Sequence, residues 1–331
     1  DLTAAFVTTS SAVTATKAKV TYSDADDVAL TAAEINAVGD AVGTVTLKNA
    51  VKVSGDKTAL TKAFVTTSTA VTGTTAKVTF TDADDAEVNA TEITDVSSAV
   101  GSVTIKNKVE IKGNKTQVNA ALVGASAATI TEAGTKATVS NAASLSEANA
   151  IAAATNITAT FSAGLSDSVG NLTKDSTTIA DKMAAVTTDQ SNIAIAISDG
   201  AGVSVEATRL EAIGKATGGT VSVAAAIKVE DSTDNLTAAF VTQGVTATSA
   251  AVTVSDADNA DITASKLSDL GKAVGTVTVK NAIKVEAAAS ALTAAFVTTT
   301  SAVTATTAKV TYSDADDVAL TAAEINAVGD A

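Results

Sequence analysis

The amino-acid sequence predicts an α/β fold: a right-handed α/β solenoid of about 58-residue repeats, each with two strand–helix units, and a long parallel sheet. The two ends of the chain carry nearly the same sequence, since Leu2–Ala41 and Leu292–Ala331 match at 38 of 40 positions. A shorter period lies inside this one, because Leu2 recurs as Leu60. Within each period, segments with helical spacing alternate with segments of strand-like alternation.

This periodicity predicts one continuous repeat array over residues 1–331, without a second domain. Counting by the shorter period, the chain runs through five copies and starts a sixth. Copies three and four diverge most, over Gly164–Gly202. Both ends fall within a repeat, so we expect the chain to be a segment of a longer protein that carries any secretion signal elsewhere.

Each copy begins with a predicted short helix. Apolar residues four positions apart share one helical face. The first of these positions is Leu2, Leu60, Val118, Ile179, Leu236 and Leu292, and the second is Phe6, Phe64, Leu122, Met183, Phe240 and Phe296. Four of the six Phe residues therefore occupy one position of the predicted core.

A strand, a second helix and a second strand follow in each copy. The first strand is marked by Tyr22, Phe80, Val139, Ile197, Val254 and Tyr312, and the second by Leu47, Ile105, Phe161, Val223 and Val279. The helix between them starts at predicted capping boxes, Thr31/Glu34, Ser144/Glu147 and Thr321/Glu324. Glycines at 43, 101 and 275 are expected to end it as C′ residues.

The composition excludes several functional classes. The net charge of −14 argues against nucleic-acid binding, and no apolar run is long enough to span a membrane. Histidine and cysteine are both absent, which removes the commonest general base and metal ligands and any thiol nucleophile. These features predict that the protein is not an enzyme.

Acidic loops after the first strand are the candidate metal ligands. Carboxylates two residues apart can converge on a hard cation such as Ca²⁺, which takes six to eight oxygens. The candidate residues are Asp24, Asp26, Asp27, Asp82, Asp84, Asp85, Asp256, Asp258, Asp314, Asp316 and Asp317. The competing interpretation is a solvated strand-to-helix turn, with Asp favoured near a helix N-terminus.

Two further patterns recur on the second strand. Hydroxyl residues are predicted to lie on the face opposite the buried apolar residues: Thr44/Thr46, Ser102/Thr104, Thr158/Thr160, Thr220/Ser222 and Thr276/Thr278. This face fits an ordinary exposed strand surface, a lateral packing surface or an ice-binding face. A Lys-Asn pair follows at 48–49, 106–107 and 280–281, where we expect the Asn side chains to satisfy backbone groups of a turn.

The segments Thr31–Gly55, Leu60–Asp85 and Ser144–Phe161 resemble the giant Ala/Thr/Val-rich "beta strand repeat" surface proteins of bacteria, notably of marine cyanobacteria. The resemblance covers the whole chain and rests on repeat style and composition. It implies a location outside the cell or on its surface, and calcium as a ligand of the acidic loops.

Together these observations predict an extracellular structural repeat protein that associates with itself into a cell-surface fibre, filament or layer. The alternative is a calcium-dependent adhesin or binding stalk that recognises a glycan, a surface or a neighbouring cell.

Overall fold

A computed structural model describes residues 2–6, 15–66, 71–298, 303–315 and 318–330. It shows a mixed α/β fold with several parallel sheets. The chain divides into two units, Asp1–Ala163 and Gly164–Ala331. The division falls at the start of the segment in which the repeat diverges most. The prediction of one continuous repeat array spans both units, and it stays a prediction.

The first unit alternates short helices with short strands throughout. Its helices are α1 (Leu2–Phe6), α2 (Ala32–Ala41), α3 (Lys57–Phe64), α4 (Ala90–Ala99), α5 (Lys115–Leu122) and α6 (Leu145–Ala152). Its strands are β1 (Ala15–Tyr22), β2 (Ala29–Thr31), β3 (Val42–Leu47), β4 (Lys52–Gly55), β5 (Val71–Phe80), β6 (Glu87–Asn89), β7 (Val100–Ile105), β8 (Glu110–Gly113), β9 (Thr129–Ile130), β10 (Thr135–Val139) and β11 (Ile157–Phe161).

The second unit also consists of short helices and short strands, but two helices follow each other near its start. Its helices are α7 (Val169–Leu172), α8 (Met183–Asp189), α9 (Ala207–Ala216), α10 (Thr233–Thr237), α11 (Ala264–Ala273), α12 (Ala289–Phe296) and α13 (Ala322–Gly329), with a π-helical segment at Ala238–Thr242. Its strands are β12 (Leu165–Asp167), β13 (Ile195–Ile197), β14 (Val221–Val223), β15 (Lys228–Asp231), β16 (Ala247–Val254), β17 (Val274–Val279), β18 (Lys284–Ala287), β19 (Val303–Thr304) and β20 (Lys309–Tyr312).

Parallel pairing joins strands that lie one strand–helix unit apart in sequence. In the first unit, Lys52 of β4 pairs with Lys77 of β5, and Lys77 pairs with Ser102 of β7, so the two steps along the chain are equal. In the second unit, the pairing of Lys284 in β18 with Lys309 in β20 has the same step. A long strand such as β5 pairs with β3 through its first half and with β4 through its second.

The expected single long sheet is replaced by several shorter parallel sheets. Counted over the described residues, the first unit holds a seven-stranded and a four-stranded sheet, and the second unit holds sheets of three, four and two strands. The reason is that each strand–helix unit carries two strand segments. The second segment forms strands of its own, such as β4 and β18, which have strand pairings of their own.

The predicted core positions are confirmed in the second, third, fifth and sixth copies, whereas Leu2 and Phe6 of α1 in the first copy are half-buried. Leu60, Val118, Leu236 and Leu292 are fully buried, and Phe64, Leu122, Phe240 and Phe296 are nearly so. The three predicted capping boxes are also present at α2, α6 and α13. Asn89 and Asn114 open α4 and α5 with equivalent boxes that the Ser/Thr pattern did not reveal.

The predicted role of the recurring glycines as helix C′ residues is wrong. The backbone of α2 passes directly into β3, and Gly43 lies inside that strand. Opposite Gly43, β1 carries extra residues between Ala15 and Lys19, so the register shifts. A Cβ on Gly43 would lie 2.8 Å from the carbonyl oxygen of Thr16. The glycine is therefore needed for close approach of two backbones at a bulge.

The predicted alignment of the fourth copy is also wrong at Ile179. This residue forms an antiparallel bridge with Thr173 and lies outside any helix. The buried position belongs instead to Leu172, three residues into α7, as Leu60 is in α3. Met183 follows eleven residues later, where other copies need four, so this copy carries an insertion within its first helix.

Candidate functional site

The acidic turns are the segments 24–27, 82–85 and 256–259, which follow β1, β5 and β16. The fourth residue of each turn adopts a left-handed backbone conformation, with φ of 64° at Asp27, 59° at Asp85 and 61° at Asn259. Asp and Asn tolerate this conformation better than most residues with a side chain. The turns therefore have a defined shape, and their side chains have fixed directions.

The first acidic residue of the loop, at positions 82, 256 and 314, caps the start of the helix that lies one strand–helix unit earlier. Asp82 accepts hydrogen bonds from the backbone N of Lys57, at 3.0 and 3.2 Å, at the first turn of α3. Asp256 accepts from the backbone N and the hydroxyl of Thr233, at 2.7 and 2.6 Å. Asp314 accepts from the backbone N of Ala289 at 2.9 Å. A carboxylate at these amides also complements the helix dipole.

The same contact persists where the acidic pattern is lost. Asn141 accepts from the backbone N of Lys115 at 2.7 Å, and Asp199 accepts from that of Val169 at 2.7 Å. The sequence contained this signal, since the first position is Asp or Asn in all six copies while the second carboxylate is absent from two. The recurrence of this position is therefore explained by capping.

The third residue of the turn accepts a hydrogen bond from the loop that follows β3, β7 or β17. Asp26 accepts from the backbone N of Ala50 at 2.9 Å, and Asp84 from that of Lys108 at 3.0 Å. In the second unit, Asp258 accepts from the backbone N of Ala282 at 2.9 Å. Each carboxylate thus satisfies a backbone donor of the following strand–helix unit.

The fourth residue pairs with lysines from later strands. Asp27 lies 2.9 Å from the Nζ of Lys77, and Asp85 lies 2.8 Å from that of Lys136. These lysines hold the pKa of both carboxyl groups below the ordinary range, mainly through the hydrogen bond. The pairs are exposed, so each stabilises the fold little on its own.

Asp82 is the buried member of its turn, and its electrostatics differ. Burial raises the pKa of Asp82, and the hydrogen bond from the backbone of Lys57 opposes this effect. The anion is therefore held by backbone amides at a helix start while the surroundings disfavour its charge.

The predicted role of the recurring Asn is confirmed. Asn49 donates from Nδ2 to the carbonyl oxygen of Asp24 at 2.6 Å, and Asn107 donates to that of Asp82 at 2.6 Å. Asn281 donates to the carbonyl oxygen of Asp256 at 2.7 Å. Each Asn side chain therefore closes the acidic turn that lies one strand–helix unit earlier in sequence.

Replacing Asn107 by Ala is expected to lower the free energy of unfolding by about 1–3 kcal/mol, because the carbonyl oxygen of Asp82 loses its side-chain donor in a half-buried setting. Urea unfolding followed by circular dichroism measures the change. The exposed neighbour Lys106→Ala is the matched control and should change stability by less than about 0.5 kcal/mol. Equal effects of the two substitutions would show that the Asn side chain does not hold the turn.

In the acidic turns, the carboxylates mainly contact backbone amides and lysine side chains, and they converge on one another less. Within the described residues, no group of three or more Asp, Glu, His or Cys side chains is arranged to hold a metal ion. Asp316 and Asp317 lie outside the described residues. The calcium ligands predicted from the sequence stay a prediction, and the carboxylates of Asp26, Asp84 and Asp258 already accept hydrogen bonds from backbone amides.

The hydroxyl-bearing face of the second strands is exposed as predicted. Thr44 and Thr46 of β3 face solvent, while Val45 and Leu47 are buried. The same alternation holds in β11, β14 and β17, and Thr104 of β7 is half-buried. Lysines and acidic residues share this face, for example Lys280 of the 280–281 pair, which lies 2.6 Å from Glu230. The face is therefore a mixed surface of hydroxyls and paired charges.

Acid is expected to destabilise the protein, because capping-box carboxylates have lowered pKa values. Glu147 accepts from Lys115 Nζ at 2.9 Å and from the backbone N of Ser144 at 2.8 Å, and these bonds lower its pKa. The pKa of Glu34 is lowered in the same way by Thr31. A lowered carboxyl pKa stabilises the fold above the unfolded-state value, about pH 4, and the contribution is lost as the pH falls through the folded-state value.

The pH-dependent contribution of buried Asp82 has the opposite sign, since its raised pKa favours the folded state at low pH.

Because the pKa of Glu147 is lowered, Glu147→Gln should reduce the loss of stability between about pH 7 and pH 3, measured by urea unfolding across that range. Glu132→Gln, at an exposed position, is the control and should leave the pH profile unchanged. A profile that is the same for both variants would rule out this role for Glu147.

No protein-family model matches the chain, and no curated protein matches its sequence. In the part of the chain that the structure describes, no helix has the length and apolar character needed to cross a bilayer.

Proposed function

We propose that the chain is an extracellular structural repeat protein in which successive strand–helix units stack as coils of a right-handed α/β solenoid and build a cell-surface fibre, filament or layer. The observation that carries the proposal is a linkage that recurs between neighbouring strand–helix units inside the first unit and again inside the second. Parallel strand pairs, the capping Asp or Asn and the turn-closing Asn all join segments that lie one strand–helix unit apart in sequence. A linkage that repeats along the chain suits a mechanical element better than a single site.

Four kinds of contact hold the proposed coils together. Apolar side chains such as Leu60 and Phe80 fill the interior. Backbone ladders join neighbouring strands, and the acidic turns join each coil to the helix before it. Exposed pairs such as Lys77 with Asp27 connect coils that are two steps apart. Force applied to one coil is in this way shared with the coils on either side.

The proposed mechanism needs no catalytic group, and the sequence contains no His or Cys to supply the usual ones. Self-association follows from the same features, because strand edges that meet solvent offer backbone groups to another chain. The paired charges and hydroxyls of the exposed strand face offer a polar surface for lateral contact between chains.

Electron microscopy of the native material on source cells, with antibody labelling of this chain, tests the proposal. We expect label along uniform fibres or layers outside the cell. Label confined to the cell interior would contradict it. Isolated rods that end in a distinct head would favour the adhesin instead.

The same preparation, treated with a calcium chelator, tests the predicted metal. We expect the assemblies to persist, since the carboxylates of Asp26, Asp84 and Asp258 already accept hydrogen bonds from backbone amides. Dissolution by the chelator, reversed by added calcium, would assign the acidic turns to calcium.

A further inference from the structure

Two copies of one sequence have different surroundings at the two ends of the chain. Residues 18–41 and 308–331 are identical. Ile35 in the first copy is 0% exposed, whereas Ile325 in the second is 45% exposed. Asn36 is buried in the first copy, and Asn326 is exposed in the second. Because the sequences are the same, the difference reports what covers the first copy.

The cover of the first copy is the segment Val42–Phe64. Its strand β3 pairs in parallel with β1, with Val45 opposite Val20 and Leu47 opposite Tyr22. Its helix α3 packs against α2, where Asn36 donates from Nδ2 to the carbonyl oxygen of Ala59 at 2.9 Å. The segment thus supplies a strand, an apolar helix face and one polar contact.

The second copy presents the same surface without that cover. Among the described residues, β20 pairs only with β18, so its other edge has no strand partner. A hollow beside this edge is lined by Val310, Tyr312, Ile325 and Val328, together with Phe296 of α12. We name this surface, the free edge of β20 and the exposed face of α13, the terminal seat.

We propose that the terminal seat binds a chain segment with the sequence of Val42–Phe64. The segment would pair with β20 in the register that β3 has with β1, and its helix would cover Ile325. Two features select this occupant over another apolar segment. The seat is identical in sequence to a surface that this segment already covers, and Asn326 is placed to donate to the carbonyl equivalent to that of Ala59. The inference rests on the coil stacking of the proposed function.

The test appends residues 42–66 after Ala331, which reproduces the natural 41–42 junction, and measures amide hydrogen exchange by mass spectrometry. We expect protection of β20 and α13 amides to rise by at least about tenfold relative to the unextended chain. In the control extension, the appended copies of Val45, Leu47 and Leu60 are changed to Ser, and protection should stay at the unextended level.

The outcomes separate the inference from the proposed coil. Unchanged exchange of α13 with both extensions, while α2 remains protected, would overturn the terminal seat and leave the coil intact. Fast exchange of α2 as well would contradict the coil itself. Protection of α13 in the unextended chain that increases with protein concentration would show that a second copy occupies the seat, which also overturns the proposed occupant.

Discussion

Replacing Phe80 by Ala is expected to lower the free energy of unfolding by about 3–5 kcal/mol. Phe80 is 1% exposed and ends β5, where it pairs with Gly55 of β4 and Ile105 of β7. The cost combines lost burial with the cavity left behind, and the small Ala and Val side chains that dominate this interior refill it poorly. Urea unfolding followed by far-ultraviolet circular dichroism measures the change.

The matched control for Phe80→Ala is Thr46→Ala, which removes an exposed side chain from the neighbouring strand β3. Its effect should stay within about 0.5 kcal/mol. A similarly small loss for Phe80→Ala would show that the aromatic position is not part of the core, and the strand pairing derived for β4, β5 and β7 would then be wrong.

Gly275→Ala is expected to cost about 1–3 kcal/mol, although it adds a single methyl group. A Cβ at this position would lie 2.7 Å from the carbonyl oxygen of Thr248, in the bulge where β16 shifts register against β17. Backbone atoms border the site, so no flexible side chain can move away. Thermal and urea unfolding measure the loss.

Gly200→Ala provides the comparison, because a Cβ there would meet no atom within 4 Å. This substitution should leave stability unchanged or raise it slightly, since it restricts the unfolded chain. If Gly275→Ala were equally harmless, the close approach of β16 and β17 at the bulge would be refuted.

Local features of the fold followed from local sequence. The i, i+4 pairing of Leu60 with Phe64 predicted α3, and the Thr31/Glu34 pair predicted the start of α2 through its capping box. Both features depend on neighbours within four residues, which a single repeat contains. The alternation of Thr44 to Leu47 similarly predicted which side chains of β3 are buried.

Features that depend on contacts between one strand–helix unit and another were harder to predict. Gly43 marked a helix end in the sequence, but its reason lies in the bulge of β1, one strand–helix unit earlier. The insertion after Leu172 was hidden because Ile179 keeps the expected spacing to Met183. Short strands such as β2 and β6 have too few residues for alternation to reveal them.

The candidate site shows the same difference between local features and contacts with another strand–helix unit. The sequence located the acidic turns and the closing role of Asn107, because both recur at a fixed position. It did not show that Asp82 contacts the start of α3, since that partner belongs to the preceding strand–helix unit. The available signal was the first position of the turn, which is Asp or Asn in every copy, whereas the third position is not.

Engineered disulfides can show whether successive coils stack in one register, because the chain has no cysteine of its own. Thr104 of β7 pairs with Thr129 of β9, so cysteines at both positions should form a disulfide in high yield under mild oxidation. Cysteines at Ser102 and Thr129, offset by two residues and about 8 Å apart, should not. A disulfide in the offset pair but not in the paired one would contradict the register, and with it the proposed coil.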